Sequence, residues 1–133
     1  MNNQVTVQNF FRAWNAESEA ERLAAVQATY TEAAVVKDPL ADVVGHEAIA
    51  AFIAGARAQF PGHTFQPSSG IDAHHDLLRF AWQLVGPDGS PVVEGFETGQ
   101  VTGDGRLSCT LGFFGPLPAV EAGVDGDAAE VAA

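Results

Sequence analysis

Asp38 is the carboxyl residue best placed for chemistry in this sequence, because it stands directly before Pro39 at the end of a short apolar run. Proline biases the preceding residue away from the α region, so we expect Asp38 at the extended end of a strand. Apolar surroundings there would disfavour the charged carboxylate and raise its pKa toward a value useful for proton transfer. The alternative is that Asp38 only starts a turn, as aspartate before proline often does.

A second carboxyl candidate is Glu97, which lies in an alternating segment and shares strand parity with Val93 and Gly95. If that face is turned to a pocket, Glu97 and Asp38 form a carboxylate pair. Two acids in different environments can divide into a base and a proton donor. A β-bulge would reverse the parity and bring in Glu94 instead. The remaining alternative is that Glu97 is a solvated strand residue.

The adjacent His74 and His75 raise the question of a metal site. Neighbouring strand residues point to opposite faces, and no cysteine or carboxylate spacing completes a ligand set, so we expect no metal. His74 shares parity with the apolar face of the strand that follows, which makes it a candidate acid/base partner at the rim of a pocket. A loop-to-strand histidine without chemistry is the alternative.

Patterns for other kinds of catalysis are missing from the sequence. No serine occupies a nucleophile elbow, no glycine-rich phosphate cradle occurs, and the single Cys109 has no evident base partner. Covalent catalysis and nucleotide hydrolysis are therefore not indicated, and we expect no cofactor.

Apolar residues at helical spacing predict three amphipathic helices ahead of the sheet. Ser18 followed by Glu21 is typical of a capping box that opens the second helix, and Gly45 is the expected N-cap of the third. The apolar stripes are Val7, Phe10, Phe11 and Trp14 on the first helix, Leu23, Val26 and Tyr30 on the second, and Ile49, Phe52, Ile53, Ala56 and Phe60 on the third.

From about residue 64 the apolar period changes to two, which is typical of half-buried strands. The strand predicted at 75–85 places Leu78, Phe80, Trp82 and Leu84 on one face. Turn sequences at 86–89 and 103–105 separate it from two further strands. Helices followed by an antiparallel meander predict an α+β domain with its helices on one face of the sheet.

The chain of 133 residues has a formal net charge of −11, with 17 acids against 6 bases. Such a surface repels phosphate backbones and anionic lipid head groups, so we expect neither nucleic acid nor membrane as a partner. No secretory signal is visible at the start of the sequence, and a cytoplasmic location is expected. Residues 1–117 are interpreted as the domain, and 118–133, rich in Ala, Gly and acids, as a C-terminal tail.

The order of these elements resembles the nuclear transport factor 2-like superfamily, which includes ketosteroid isomerases and SnoaL-like polyketide cyclases. The local matches are Val35–Pro39, Gly45–Ile49 with Phe52, and Gly105–Leu107 leading to Phe113–Gly115. The resemblance implies a cone-shaped α+β fold, in which three N-terminal helices pack on a curved, mixed but mostly antiparallel sheet and enclose a pocket. It also implies a homodimer through the outer sheet face. One such pocket serves many chemistries, so the reaction is not implied.

Against the ketosteroid isomerase pattern, Asp38 falls at the position of the general base, and Glu97 at that of a protonated aspartic acid. Phe10 falls at the position of the oxyanion-hole tyrosine and Ile53 at that of a supporting tyrosine, so both hydroxyls are missing. Loss of a preorganised oxyanion donor costs on the order of a hundredfold in rate. The resemblance therefore implies a relative that retains the base and is not a proficient ketosteroid isomerase.

The resemblance also implies which residues contact a ligand, and ordinary core packing is the alternative for each. The expected pocket residues are Phe10, Trp14, Ile49, Phe52, Ile53, Phe80, Trp82, Thr110, Gly112 and Phe114. Gly112 is expected to leave room for a ligand to approach, because a strand glycine has no side chain.

Three functions are consistent with the sequence. The first is a cofactor-independent isomerase, cyclase or dehydratase that moves a proton through Asp38 on an apolar, carbonyl-bearing or polyketide-like substrate. The second is a non-catalytic module that binds a small apolar ligand, and the third is a structural or assembly domain. A pocket enclosing Asp38 and Glu97 would favour the first, and a cavity filled by its own side chains would favour the third.

Overall fold

The computed structural model describes residues 2–121. Along them run α1 (Asn3–Asn15), α2 (Glu19–Thr29), β1 (Tyr30–Asp38), β2 (Ala41–Val44), α3 (His46–Gln59), β3 (Thr64–Pro67), β4 (Asp72–His74), β5 (Leu77–Val85), β6 (Pro91–Val101) and β7 (Leu107–Phe114). The strands form one sheet in the order β2-β1-β7-β6-β5-β3, with β4 also paired to β5. Only the pairing of β1 with β7 is parallel among these strands. The predicted α+β fold with a mixed, mostly antiparallel sheet is confirmed.

The first helix forms as its stripe predicts. Val7, Phe10 and Trp14 are buried in the core, and Phe11 packs against it half-buried. The Asn2 side chain accepts from the Gln4 amide at 2.8 Å and satisfies one of the free N–H groups at the helix start.

The second helix begins as predicted, and its buried face agrees with the predicted stripe in part. The Ser18 hydroxyl accepts from the Glu21 amide at 3.1 Å. Leu23 is 36% exposed, whereas Ala25 and Val26 are buried. Arg22 is buried too, because its guanidinium donates to the Ala16 carbonyl at the end of α1. Of the predicted stripe, Val26 and Tyr30 are buried as expected and Leu23 is not, because the buried hydrogen bond of Arg22 and packing on α1 turn Ala25 inward instead.

Strand β1 is longer than the sequence indicated. Tyr30, predicted on the second helix, is extended with φ −114° and ψ 147° and opens β1 opposite Leu107. The short strands β2, β3 and β4 were not predicted individually. They are too short to show a period and owe their conformation to hydrogen bonds with β1 and β5.

The inner sheet face carries the core in the predicted register. Leu78, Phe80, Trp82 and Leu84 of β5 are all buried. The pairing of β5 with β6 and of β6 with β7 is regular from Gly95 to Gly99, and its irregularities lie at Leu84/Val85 and Gln100/Val101. Because no bulge interrupts the centre of β6, alternate residues there keep their faces.

None of the helices within residues 2–121 is long and apolar enough to cross a membrane. Residues 118–121 are exposed and without regular secondary structure, and the rest of the predicted tail, 122–133, lies outside the described residues.

Asn15 joins the end of α1 to β3 through two hydrogen bonds to one residue. Its amide nitrogen donates to the Phe65 carbonyl at 2.9 Å, and its oxygen accepts from the Phe65 amide at 2.7 Å. We expect Asn15→Ala to lower the free energy of unfolding by about 1–3 kcal/mol, since both backbone groups lose their partner in a part-buried place. Urea unfolding measures the change, with the exposed Gln8→Ala on the same helix as the control. Equal stability of the two variants would contradict this expectation.

Candidate functional site

A cavity of about 750 Å³ lies between the helices and the inner face of the sheet. Seven of its 16 lining residues are aromatic, namely Phe10, Trp14, Phe52, Phe60, Phe65, Trp82 and Phe114. The wall formed by α3 also includes the small residues Ala51, Gly55 and Ala56, which leave space beside the ring of Phe52. A mostly apolar cavity of this size suits a small organic ligand.

Asp38 lies at the end of β1 and lines this cavity. Its Oδ1 accepts from the Leu40 amide at 2.7 Å, so the residue also forms the turn that the Asp-Pro sequence indicated. Partial burial raises the pKa of Asp38, and the amides of Leu40 and Ala41 partly offset that effect. Both interpretations of Asp38 therefore hold for its position: it starts a turn, and its carboxyl faces an apolar cavity.

Glu97 lies on β6 and lines the same cavity. It is only 4% exposed, and its Oε2 has no hydrogen-bond partner among the described residues. Burial raises the pKa of Glu97 to about 8, and the negative charge of Asp38 adds to the shift. Glu97 is therefore protonated near neutral pH and can donate a hydrogen bond.

The uncertainty between Glu97 and Glu94 is settled by the register. Val93 and Glu97 both line the cavity, while Glu94 is exposed on the outer face. There the Gln83 amide donates to Glu94 Oε1 at 3.4 Å. The parity prediction is confirmed, because the bulges in β6 pairings lie outside this segment.

Register also explains how the two acids come to share one site. Lys37 of β1 pairs with Leu111 of β7, so Asp38 comes level with Gly112. Gly112 in turn pairs with Glu97 across β6 and β7. The acids thus lie on strands separated by a single strand, at the same height in the sheet.

Gly112 does not have the role expected for it. It does not line the cavity, and the space above its Cα is occupied by the carboxyl of Glu97. A Cβ at this position would collide with Glu97 Oε2 and lie 2.9 Å from Glu97 Cδ. The glycine leaves room for a side chain of the protein, not for a ligand.

Four other residues expected around the pocket lie behind its wall. Ile49 and Ile53 of α3 are fully buried between the helix and the sheet, and the cavity meets the neighbouring helix face. Phe80 packs on Phe10, with ring centroids 5.0 Å apart, and Thr110 is 1% exposed. Core packing is their observed environment, because a period of 3.6 or 2 identifies buried residues but not which of them border an empty space.

The cavity lining also includes residues that the sequence did not single out as pocket residues. Leu40 follows the Asp-Pro turn and is 71% exposed, and the exposed Gln59 brings a side-chain amide from α3. Ala51, Gly55 and Gln59 recur every four residues, which is the helical spacing that could have indicated this face.

His74 lies outside the cavity, so its expected position at the rim is not observed. It is exposed on β4, and the chain turns at His75, whose φ is 52°. The two rings approach across this turn, with Nδ1 atoms 3.1 Å apart. Within residues 2–121, no group of three or more His, Cys, Asp or Glu residues is arranged to hold a metal ion.

A buried hydroxyl that the sequence did not indicate lies near the acids. Tyr30 is 0% exposed and its Oη accepts from Trp14 Nε1 at 3.2 Å. Burial raises the pKa of Tyr30, and the charges of Glu97 and Asp38 raise it further, so the phenol stays protonated. Tyr30 was assigned to a helix stripe on periodicity, which concealed its place at the start of β1.

The comparisons with known proteins agree with this geometry. The family model of the SnoaL-like domain matches residues 7–108. A SnoaL-like family protein from Agrobacterium tumefaciens, provisionally named an isomerase, is 32% identical, with a TM-score of 0.81 over 86% of this chain and 97% of its own. No curated protein was found to match the sequence.

More distant structures share the fold alone. A SnoaL-like protein from Jannaschia sp. CCS1, provisionally named a polyketide cyclase, is 21% identical, with a TM-score of 0.69 over 84% of each chain. A protein with a ketosteroid isomerase-like fold from Catenulispora acidiphila, in complex with trimethylamine, is 12% identical. Its TM-score is 0.64, over 80% of this chain and 82% of its own. With the matched domain spanning most of the sheet and helices described above, the chain belongs to the SnoaL-like family within the nuclear transport factor 2-like superfamily.

Proposed function

We propose that this protein is a cofactor-independent enzyme, of the isomerase, cyclase or dehydratase type, that moves a proton on an apolar, carbonyl-bearing or polyketide-like substrate. The observation that carries the proposal is the presence of two carboxyls with raised pKa values, Asp38 and Glu97, in one aromatic cavity of about 750 Å³. Perturbed acids in an apolar cleft are typical of active sites.

The two carboxyls differ in a way that assigns their roles. Asp38 is only half-buried and is held by the Leu40 amide, so it ionises more readily and is the base that removes a proton from carbon. Glu97 is more deeply buried and protonated, so it donates a hydrogen bond to the substrate oxygen as negative charge builds there. The protonated Asp38 then returns the proton to carbon, or to a leaving hydroxyl, which restores the base.

The apolar wall contributes binding rather than chemistry. Aromatic rings from α1, α3 and the sheet exclude water, which strengthens the interaction between a developing oxyanion and the Glu97 proton. The names given to the Agrobacterium and Jannaschia proteins, isomerase and polyketide cyclase, support this class of reaction. An open cavity argues against the third function, a purely structural domain.

A non-catalytic binding module is the second candidate, and one observation favours it. Phe10 and Ile53 place no hydroxyl at the positions where the ketosteroid isomerase pattern has tyrosines, and the Tyr30 hydroxyl does not line the cavity. The oxyanion would therefore have Glu97 as its donor and lack the second one. A cytoplasmic location is part of the same proposal.

We expect Asp38→Asn to reduce kcat/KM by about a hundredfold or more, because the amide keeps the shape and the Leu40 contact but cannot accept a proton. Ligands are first found by thermal shift in a screen of enolisable ketones, epoxides and polyketides. Exchange of their α-protons for deuterium, followed by NMR, then measures proton removal directly. Asp42→Asn is the matched control, since this exposed acid lies on the neighbouring strand β2.

Survival of the activity within a few-fold in Asp38→Asn would show that Asp38 is not the base. If ligand binding is unchanged in Asp38→Asn and the wild-type protein exchanges no α-protons, the binding module is favoured.

The protonation of Glu97 predicts how stability depends on pH. The pKa of Glu97 in the folded protein, about 8, exceeds the ordinary value of 4.5. The contribution of Glu97 to the free energy of unfolding is therefore complete below about pH 4.5 and is lost as pH rises through 8. Asp38 and Tyr30, the ionisable groups facing it, are present in wild type and variant alike. We expect the Tm of Glu97→Gln relative to wild type to rise by a few degrees between about pH 5 and about pH 9.

Calorimetry at a series of pH values measures this difference. The exposed Glu94→Gln on the same strand is the control and should follow the wild-type curve. A constant difference between Glu97→Gln and wild type would mean that Glu97 is ionised throughout this range.

We further propose that the protein is a homodimer through the outer face of the sheet, as its superfamily resemblance implies. Support comes from an aromatic pair on that face, Phe96 and Phe113, whose rings stack with centroids 5.5 Å apart. Phe113 is 54% exposed and its neighbour Leu111 is 43% exposed. Apolar groups exposed together on one surface are typical of contact sites.

We expect Phe113→Glu to convert a dimer to a monomer, because it places a charge in an apolar contact on an already acidic protein. Sedimentation velocity measures the mass of each species. Val5→Glu is the control, since Val5 is exposed at 44% on helix α1, away from the outer face. A wild-type monomer, or an unchanged dimer in Phe113→Glu, would refute this interface.

A further inference from the structure

Glu97 and Gly112 form a direct cross-strand pair in the centre of the sheet. The glutamate side chain does not stand away from the sheet but lies back over the Cα of Gly112. The three atoms nearest to a Cβ built on Gly112 all belong to its carboxyl group, with Cδ at 2.9 Å and Oε1 at 3.0 Å. The space that a side chain would fill on β7 is thus filled by the carboxyl from β6.

The backbone at this position does not itself require glycine. Gly112 is not among the residues with positive φ, and the strand continues regularly through it. Glycine in a strand interior weakens the strand. Since the backbone conformation does not require glycine here, its presence is explained by a neighbouring group that needs the space of a side chain. The carboxyl of Glu97 is that group.

The neighbouring strand also explains the direction of the glutamate. Asp38 lies level with Gly112 on the far side, so a carboxyl seated over the glycine extends from β6 toward Asp38 on β1. A methyl group at Gly112 would stand between the two acids.

We infer that Gly112 is a positioning residue, whose missing side chain seats the Glu97 carboxyl beside Asp38. The length of the side chains decides whether the carboxyl fits above Gly112. Glutamate reaches this space because it has one methylene more than aspartate, and glycine leaves it open because it lacks the methyl group of alanine. We call the space above the Cα of Gly112 that holds this carboxyl the seat. The geometry alone defines it, while its importance for catalysis rests on the proposed function.

Displacement of the carboxyl has a measurable consequence. In its seat Glu97 is removed from water, and this burial is the main cause of its raised pKa. The ionisable groups facing it are Asp38 and Tyr30 of β1, whereas the cavity-lining residues of α1, α3, β5 and β7 are uncharged. A carboxyl pushed out of the seat regains contact with water, so its pKa falls.

The test is a double-mutant cycle with Gly112→Ala, Glu97→Asp and their combination. Two quantities are measured without any substrate: the Tm, and the pH midpoint of the carboxyl at position 97 from its ¹³C NMR shift. We expect Gly112→Ala to lower the Tm and to lower the midpoint by about one pH unit or more. In the combined variant the shorter acid makes room for the methyl, so both quantities recover beyond the sum of the single changes.

Two controls separate a seat from a general effect of alanine in the sheet. Gly112→Ala combined with Glu97→Gln retains the original length and is expected to show no recovery of the Tm. Gly103→Ala, in the turn between β6 and β7 with no atom within 4 Å of its Cβ position, is expected to leave both quantities unchanged.

Additive Tm changes together with an unaltered midpoint in Gly112→Ala would overturn the inference. If Gly112→Ala does not fold, folding of the combination with Glu97→Asp but not of that with Glu97→Gln supports the seat, and failure of both refutes it. None of these measurements depends on activity. If the cycle shows the expected coupling but Asp38→Asn retains activity, the position of the Glu97 carboxyl over Gly112 stands and only the proposed chemistry is rejected.

Discussion

The unsolvated carboxyl of Glu97 is the constraint on which the site depends. Its Oε2 is buried away from water and has no hydrogen-bond partner among the described residues, so the fold favours the neutral acid. Asp38, half-buried and bonded to the Leu40 amide, can carry charge more easily. One cavity therefore holds a proton donor and a proton acceptor, although both groups are carboxyls, and the charge of Asp38 further raises the cost of ionising Glu97.

The rest of the architecture produces this difference in environment. Parallel pairing of β1 with β7 brings the end of the first strand level with the centre of β6, and Gly112 leaves the space through which the acids approach. Rings from α1 and the sheet remove water from the Glu97 side. The turn at Pro39 keeps Asp38 at the edge of the same cavity, where Leu40 remains exposed. The aromatic wall of the cavity thus also sets the protonation of the acids.

The reliable inferences from sequence were those that depend on local geometry. Alternation along β5 and β6 placed Trp82 and Glu97 on the inner face, and Pro39 placed Asp38 at a strand end. Inferences that depended on partners failed where the partner was distant in sequence. Leu23 is partly exposed, because its neighbours on α2 pack on α1 instead. Tyr30 begins a strand, in which it pairs with Leu107.

By itself, the sequence determined the α+β class, the order of the helices and long strands, and the parity that Glu97 shares with Val93, because periodicity and proline act through neighbouring residues. Only the tertiary structure decided which buried residues border an empty cavity, that His74 lies outside it, and that Gly112 accommodates a carboxyl rather than a ligand. The physical reason is that these outcomes depend on distances between strands and helices far apart in the chain. Burial and pKa follow from those distances, and no local pattern encodes them.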